Sequence, residues 1–367
     1  MQYTEDSLYL EFQKNARKYL VPTGGGFELT PRCTLDCAMC YVHMTNEQMI
    51  GRHELTGDEW IKIIDDAYAA GMLSALVTGG ECMLHKDFRR IYLHLKSLSV
   101  FVSINTNGTL ITDEYVEFFR KNPPRQMQIT MYGSDDDHYE KVTGHRVYKR
   151  VKESILKLRD AGINLCIAIT PSKYLIDDVL NIVEFAKRER IFYLVNPALM
   201  QANDDTGRDI EDYGLTPEQS IEIKRRVREF EGKEFWKNEY IPDIPCRIEC
   251  DEPARRLPCG AGRSTFTISW DGTMRPCAWV SDVTANVLEV GFDAAWKTIN
   301  KGVAEHIVPI ECESCEYRPA CVNCAIMRSD PNDPMHRNPN TCRETIGYIN
   351  SGTIKFARKS ALEKETT

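Results

Sequence analysis

Near the start of the chain, Cys33, Cys37 and Cys40 follow the spacing CxxxCxxC. Three thiolates so placed can hold three irons of a [4Fe–4S] cluster, for which cysteine ligation is the rule. The fourth iron is then open to a bound molecule. Electron-transfer ferredoxins use CxxC repeats instead. Structural zinc takes four ligands, and three closely spaced cysteines with no local fourth suit it poorly. Buried free thiols are the other reading. A second segment, Val77-Thr78-Gly79-Gly80-Glu81, offers two glycines, which let backbone approach a ligand, and a carboxylate that can meet an ammonium group. A glycine pair is also an ordinary turn signal.

Nine of the fourteen cysteines lie between Cys246 and Cys342. Cys259 and Cys277 bracket Thr267–Met274, where Asp271-Gly272 between alternating residues predicts a β-hairpin that could bring both cysteines to one cluster. Further on come Cys312-x2-Cys315-x5-Cys321-x2-Cys324 and then Cys342. Two CxxC pairs also occur in zinc ribbons, so this run alone leaves zinc and iron–sulfur both open. Cys82 and Cys166 stand apart from both groups and read as core packing, with a place near the substrate as the other reading of Cys82, which directly follows Glu81.

The elements that must position these groups follow from periodicity. Short apolar runs at Phe27–Leu29, Ser74–Val77, Val100–Ile104, Met127–Met131, Ile163–Ile169 and Phe192–Val195 alternate with helical stretches. One helix carries Trp60, Ile63, Ile64, Ala67 and Tyr68 before Gly71; another carries Val147, Val151, Ile155 and Leu158 before Gly162. A third carries Ile176, Val179, Leu180, Val183 and Ala186. Alternating strands and helices make parallel βαβ units, and six repeats leave a partial barrel or a doubly wound sheet. In both, functional loops follow the C-terminal ends of the strands. Thr216, Pro217 and Gln219 predict a capped helix start. After Cys246 the periodicity stops, as in small metal-stapled modules.

The chain has 367 residues and a net charge of −8, without the basic stripe of a nucleic-acid binder. No apolar run is long enough for a membrane span, and the charged start lacks a signal-peptide core. These features point to a cytoplasmic protein, where clustered cysteines serve metal or chemistry more often than disulfides.

With these motifs, the sequence resembles radical S-adenosylmethionine (radical SAM) enzymes. That resemblance implies a partial (β/α)6 barrel and an open [4Fe–4S] cluster on Cys33, Cys37 and Cys40 that chelates S-adenosylmethionine. In the family, one-electron reduction releases a 5′-deoxyadenosyl radical that abstracts hydrogen. It further implies S-adenosylmethionine contacts from Thr78, Gly79, Gly80 and Glu81, and a ribose contact from Thr130, which as a β-branched strand residue also has a plain reading. Asn105-Thr106-Asn107-Gly108 resembles another frequent family segment, although Asn-Gly is a plain turn signal.

The C-terminal cysteines resemble the SPASM domain, a loop-rich iron–sulfur domain with two auxiliary [4Fe–4S] clusters. By matched position Cys259, Cys277 and Cys324 would serve the first, with Cys250 or Cys246 as fourth ligand. Cys312, Cys315, Cys321 and Cys342 would serve the second. Two residues precede Cys324 where the domain usually has three. The implied organisation is an extension over 1–23, the barrel over 24–200, a connecting helical segment over 201–245, the auxiliary domain over 246–345 and a tail over 346–367.

Such enzymes mostly modify ribosomally made peptides, so the resemblance implies an intramolecular thioether or carbon–carbon cross-link in a precursor peptide. Met131–Gly144 resembles the peptide-modifying group. Sulfatase maturation ranks lower because Ala278 stands where those maturases carry an aspartate after the cysteine matching Cys277. Alcohol dehydrogenation and a non-catalytic electron-transfer protein are further alternatives. Expected partners are a reductant such as flavodoxin or ferredoxin and, with some 23 residues before the first strand, a separate leader-binding protein unless the barrel surface itself recognises the leader. Tyr41, His43 and Trp279 neighbour ligand cysteines, yet none is assigned as acid or base.

Overall fold

The computed structural model describes residues 5–199, 213–232, 259–306, 309–318, 321, 324, 327, 329, 330 and 333–351. They fall into two compact units, Met1–Gly214 with Gly260–Val303, and Leu215–Cys259 with Ala304–Thr367.

The first unit opens with α1 (Glu5–Lys18), then alternates β1 (Gly24–Glu28), α2 (Gly57–Ala69), β2 (Ser74–Thr78), α3 (Phe88–Ser97), β3 (Phe101–Thr106), α4 (Asp113–Lys121) and β4 (Gln126–Thr130). It continues through α5 (Asp136–Thr143), α6 (Tyr148–Asp160), β5 (Leu165–Ile169), α7 (Val179–Arg188) and β6 (Phe192–Val195). The first six strands lie side by side in chain order, all parallel. A doubly wound sheet must reverse its strand order at a switch point. No reversal occurs here. Right-handed crossovers in an unreversed order put every helix on one face, which is the winding of a partial barrel.

Helix α2 starts at a Thr56–Glu59 capping box and buries Trp60, Ile63, Ile64 and Ala67. Tyr68, assigned to that face from the sequence, is exposed: at 100° per residue it lies about 80° from Trp60, beyond the apolar stripe. Gly71 and Gly162 take φ of +114° and +76°, as helix-ending glycines do. Helix α7 begins at Val179, so Ile176 lies in the preceding turn.

The predicted hairpin joins this same sheet. Strand β7 (Thr265–Ile268) pairs in parallel with β1 and turns at Asp271-Gly272 into the antiparallel β8 (Thr273–Arg275), beside β9 (Ala285–Asn286). Helices α9 (Val287–Val290) and α10 (Phe292–Glu305) follow. Thus β1 lies between β2 and β7. Its Phe27 is fully buried between Trp60 and Phe266, both edge-on at 5.9 Å. Successive strand residues face opposite sides, so Glu28 points to the other face of the sheet.

In the second unit, α8 (Pro217–Phe230) starts at the Thr216–Gln219 capping box read from the sequence. Strands β10 (Ser329–Asp330) and β11 (Asp333–Arg337) form a small antiparallel pair, and α11 (Pro339–Asn350) packs against α8. Among the described residues, no helix is long and apolar enough to cross a membrane.

Removing the Phe27 ring should leave a cavity between two aromatic edges. Phe27→Ala is expected to lower unfolding free energy by about 3–5 kcal/mol in urea denaturation, and a loss below about 1 kcal/mol would contradict this packing.

Candidate active site

The cysteine loop leaves β1 and runs to α2 without regular structure, so its backbone groups need partners elsewhere. Leu29 N–H donates to Thr78 O at 3.0 Å, Gly80 N–H to Thr30 O at 2.7 Å and Glu81 N–H to Arg32 O at 2.8 Å. On the far side, Asp36 and Ala38 N–H groups donate to Thr143 and Val142 carbonyls at the end of α5. Leu35, Met39, Val42 and Met44 are buried, and Val42 and Met44 cluster with Trp270 of the hairpin.

Gly79 and Gly80 make this approach possible. A Cβ on Gly79, which has φ +126°, would meet Thr30 O at 2.6 Å, and one on Gly80 would meet Arg32 O at 2.3 Å. The neighbour that excludes a side chain here is the cysteine loop's own backbone.

Glu81 is fully buried. Its carboxylate accepts from Thr106 Oγ1 at 2.7 Å, Asn107 N–H at 2.9 Å and Met83 N–H at 3.3 Å. It therefore ties the end of β2 to the end of β3. Asn107 continues the chain of contacts: its Nδ2 donates to Thr34 Oγ1 at 3.0 Å and to Cys33 Sγ at 3.3 Å. Cys33 Sγ also accepts from Leu35 N–H at 3.5 Å, and Cys40 Sγ from His43 N–H at 3.3 Å. Burial, with Glu81 and Cys40 adding, pushes the Cys33 thiol up to about 12. Metal binding at Cys33 would displace that proton.

A second buried carboxylate closes the other side of the loop. Glu28 accepts from Tyr41 Oη at 2.8 Å and from Ser269 Oγ, in the hairpin, at 2.9 Å. Burial raises its carboxyl above the usual range, with Tyr41 and Arg275 opposing. Burial, then Cys37 and Cys40, raises the Tyr132 phenol. Thr34 drew no notice in the sequence, Glu28 and Tyr132 appeared there only inside strand and loop segments, and Asn107 only inside the Asn105–Gly108 segment, with no role for its side chain. The available signals were an acidic residue ending an apolar strand and an Asn-Gly pair at a strand end.

The structure thus links Cys33, Glu81 and Asn107, with Cys37 and Cys40 on the same loop. Thr78 and Thr130 end β2 and β4 at the same sheet edge. Cys82 is fully buried with its sulfur 3.6 Å from Asn105 O, and Cys166 is buried in β5. Both therefore pack in the interior of the unit.

In the second unit, Cys312, Cys315, Cys321 and Cys342 line one pocket with Arg318, Arg337 and Thr345. Thr345 Oγ1 donates to Cys321 Sγ at 3.6 Å. Burial raises the Cys342 thiol, Arg337 opposes it, and Cys315 and Cys321 add to it. Cys259 is exposed and Cys277 and Cys324 are half-buried, while Cys246 and Cys250 lie outside the described residues.

The twelve described cysteines form no disulfide. Among the described residues, no three His, Cys, Asp or Glu side chains gather around a single metal ion. In a cubane each thiolate holds its own iron. Three thiols on one loop, two of them accepting N–H bonds, fit that group by donor type.

Two outcomes follow. Gly80→Ala should lower unfolding free energy by about 1–3 kcal/mol in denaturant titration, because backbone has to move; wild-type stability would contradict the contact. Burial raises the Glu81 carboxyl, so folding takes up a proton there. That stabilisation is complete below the ordinary carboxylate range and is lost as pH rises through the raised value. Glu81→Gln should remove its share of the stability lost as pH rises above the ordinary carboxylate range, and an unchanged slope would refute it.

Residues 27–193 match the Radical SAM superfamily. The AdoMet-dependent heme synthase of Methanosarcina barkeri is 25% identical over 316 residues, spanning 81% of this chain and 89% of that protein. The PqqA peptide cyclase of Bradyrhizobium diazoefficiens is 23% identical over 332 residues, spanning 84% and 83%. In fold, the chain resembles Streptococcus suis SuiB bound to its precursor peptide SuiA, with TM-score 0.68, 17% identity and coverage of 92% and 80%. The unreversed parallel sheet, the three-cysteine loop after its first strand and the glycine pair after its second agree with the sequence match: residues 27–193 are a domain of the Radical SAM superfamily.

Proposed function

We propose that this chain is a radical SAM maturase that forms an intramolecular thioether or carbon–carbon cross-link in a ribosomally made peptide. The observation carrying this reading is the cysteine loop held by the exits of β1, β2 and β3 at the C-terminal edge of a partial barrel. Peptide-acting relatives covering most of the chain, PqqA peptide cyclase and SuiB, favour a peptide substrate.

In this reading Cys33, Cys37 and Cys40 hold the open [4Fe–4S] cluster, and Gly79, Gly80, Glu81, Thr78 and Thr130 border the S-adenosylmethionine site. When bound, cluster and S-adenosylmethionine supply a 5′-deoxyadenosyl radical able to take hydrogen from carbon. The protein's own part is to fix the cysteine loop, exclude water and orient the substrate carbon. Buried Glu28 and Glu81 do the fixing, each spanning two segments.

Cys312, Cys315, Cys321 and Cys342, which share a pocket, are assigned to one auxiliary cluster. Cys259, Cys277 and Cys324, with Cys250 or Cys246, are assigned to another. The region 246–345 then acts as the auxiliary-cluster segment of a cytoplasmic enzyme served by a flavodoxin or ferredoxin. A separate leader-binding protein would deliver the precursor peptide.

A second reading is favoured by coverage: the match to a heme synthase spans 89% of that protein, which points to a tetrapyrrole substrate. The test begins with anaerobic reconstitution with iron, sulfide, dithionite and S-adenosylmethionine. The protein should release 5′-deoxyadenosine, and Cys33→Ala should abolish that release. Tetrahedral zinc in the loop, or a filled cluster with no 5′-deoxyadenosine, would overturn the assignment. Co-expression with a short peptide encoded beside the gene should lower the peptide's mass by two hydrogens. An unchanged peptide together with turnover of an iron porphyrin would select the second reading.

A further inference from the structure

We propose that Asn107 is a positioning residue that sets the reduction potential of the open cluster, by directing one amide N–H at the Cys33 sulfur. The inference rests on Cys33 being a cluster ligand, as assigned above.

The geometry fixes which end of the amide faces the sulfur. Asn107 Oδ1 accepts from Thr109 N–H at 2.9 Å and from Thr109 Oγ1 at 2.7 Å. Its own N–H is held by the Glu81 carboxylate at 2.9 Å. With oxygen and main chain both engaged, Nδ2 is the end left to reach Cys33 Sγ at 3.3 Å and Thr34 Oγ1 at 3.0 Å. Thr34 Oγ1 in turn lies 2.6 Å from Thr109 Oγ1, so a closed set of polar groups surrounds the amide. Asn107 and Thr109 are both buried, which keeps the amide from swinging into water. The turn itself does not require asparagine at 107, because Gly108 takes the positive φ of +78°.

Reduction of a cluster adds negative charge that is shared with its sulfur ligands. An N–H bond to such a sulfur stabilises the reduced form more than the oxidised one and raises the potential. The buried Glu81 carboxylate, one hydrogen bond further away, works in the opposite direction. The Asn107 amide stands between the two and offsets that carboxylate, easing the electron's arrival.

The test is an EPR-monitored redox titration of anaerobically reconstituted full-length protein, following the signal that changes when S-adenosylmethionine is added. Asn107→Ala should move that midpoint to more negative potential at wild-type iron and sulfide content. Thr109→Val keeps the amide but removes one of its two anchors, and should give a smaller shift in the same direction. A loaded Asn107→Ala protein with the wild-type midpoint would overturn the inference. Should that variant fail to load, Thr109→Val decides, and no shift there overturns it equally. If the wild type itself shows no signal responding to S-adenosylmethionine, the assignment of Cys33 has failed, which is a separate result from an unmoved midpoint.

Discussion

A loop without helix or strand has to find partners for its backbone groups outside itself, and the cysteine loop finds them on neighbouring strand and helix ends. Thr30 and Arg32 carbonyls receive N–H groups from the β2 exit, and Asp36 and Ala38 donate to the end of α5. These bonds close only at backbone contact distance. Residues 79 and 80 therefore lack side chains: an added Cβ would fall 2.6 Å and 2.3 Å from carbonyl oxygens. The glycines, the register of β1 with β2 and the placement of the cysteines are one constraint expressed three times.

Around that frame the polar interior is arranged by carboxylates. A buried carboxylate is unfavourable unless donors surround it. Glu81 has donors from β3 and from the turn after itself; Glu28 has one from the cysteine loop and one from the hairpin. Each joins parts of the chain that no strand ladder connects at that point. Removing either would leave several donors facing an empty acceptor position.

The sheet was legible because each strand is a short apolar run between amphipathic helices, two of them closed by glycine. Periodicity alone left two windings open, and the observed strand order decides between them. The hairpin at Asp271-Gly272 was also legible, but its membership of the main sheet was not: Glu28 and Ser269 are 241 residues apart, and spacing carries no sign of such a pairing. The cysteine motif stood out by its spacing. The Asn105–Gly108 segment was noted too, but the use of the Asn107 side chain was not legible, because Asn-Gly after a strand signals a turn whether or not the asparagine side chain is used. The donors occupying Glu81 were hidden for a similar reason, since they come from a different strand.

The pairing of β1 on both sides bears on how the protein is made. Its second neighbour, β7, and the Ser269 partner of Glu28 are encoded more than two-thirds of the way along the chain. A nascent polypeptide halfway through translation therefore exposes one ladder of β1 and leaves Glu28 without that donor. The cysteine loop, through Tyr41 and Glu28 and through Val42 and Met44 against Trp270, gains its full set of contacts only after the ribosome has delivered the hairpin.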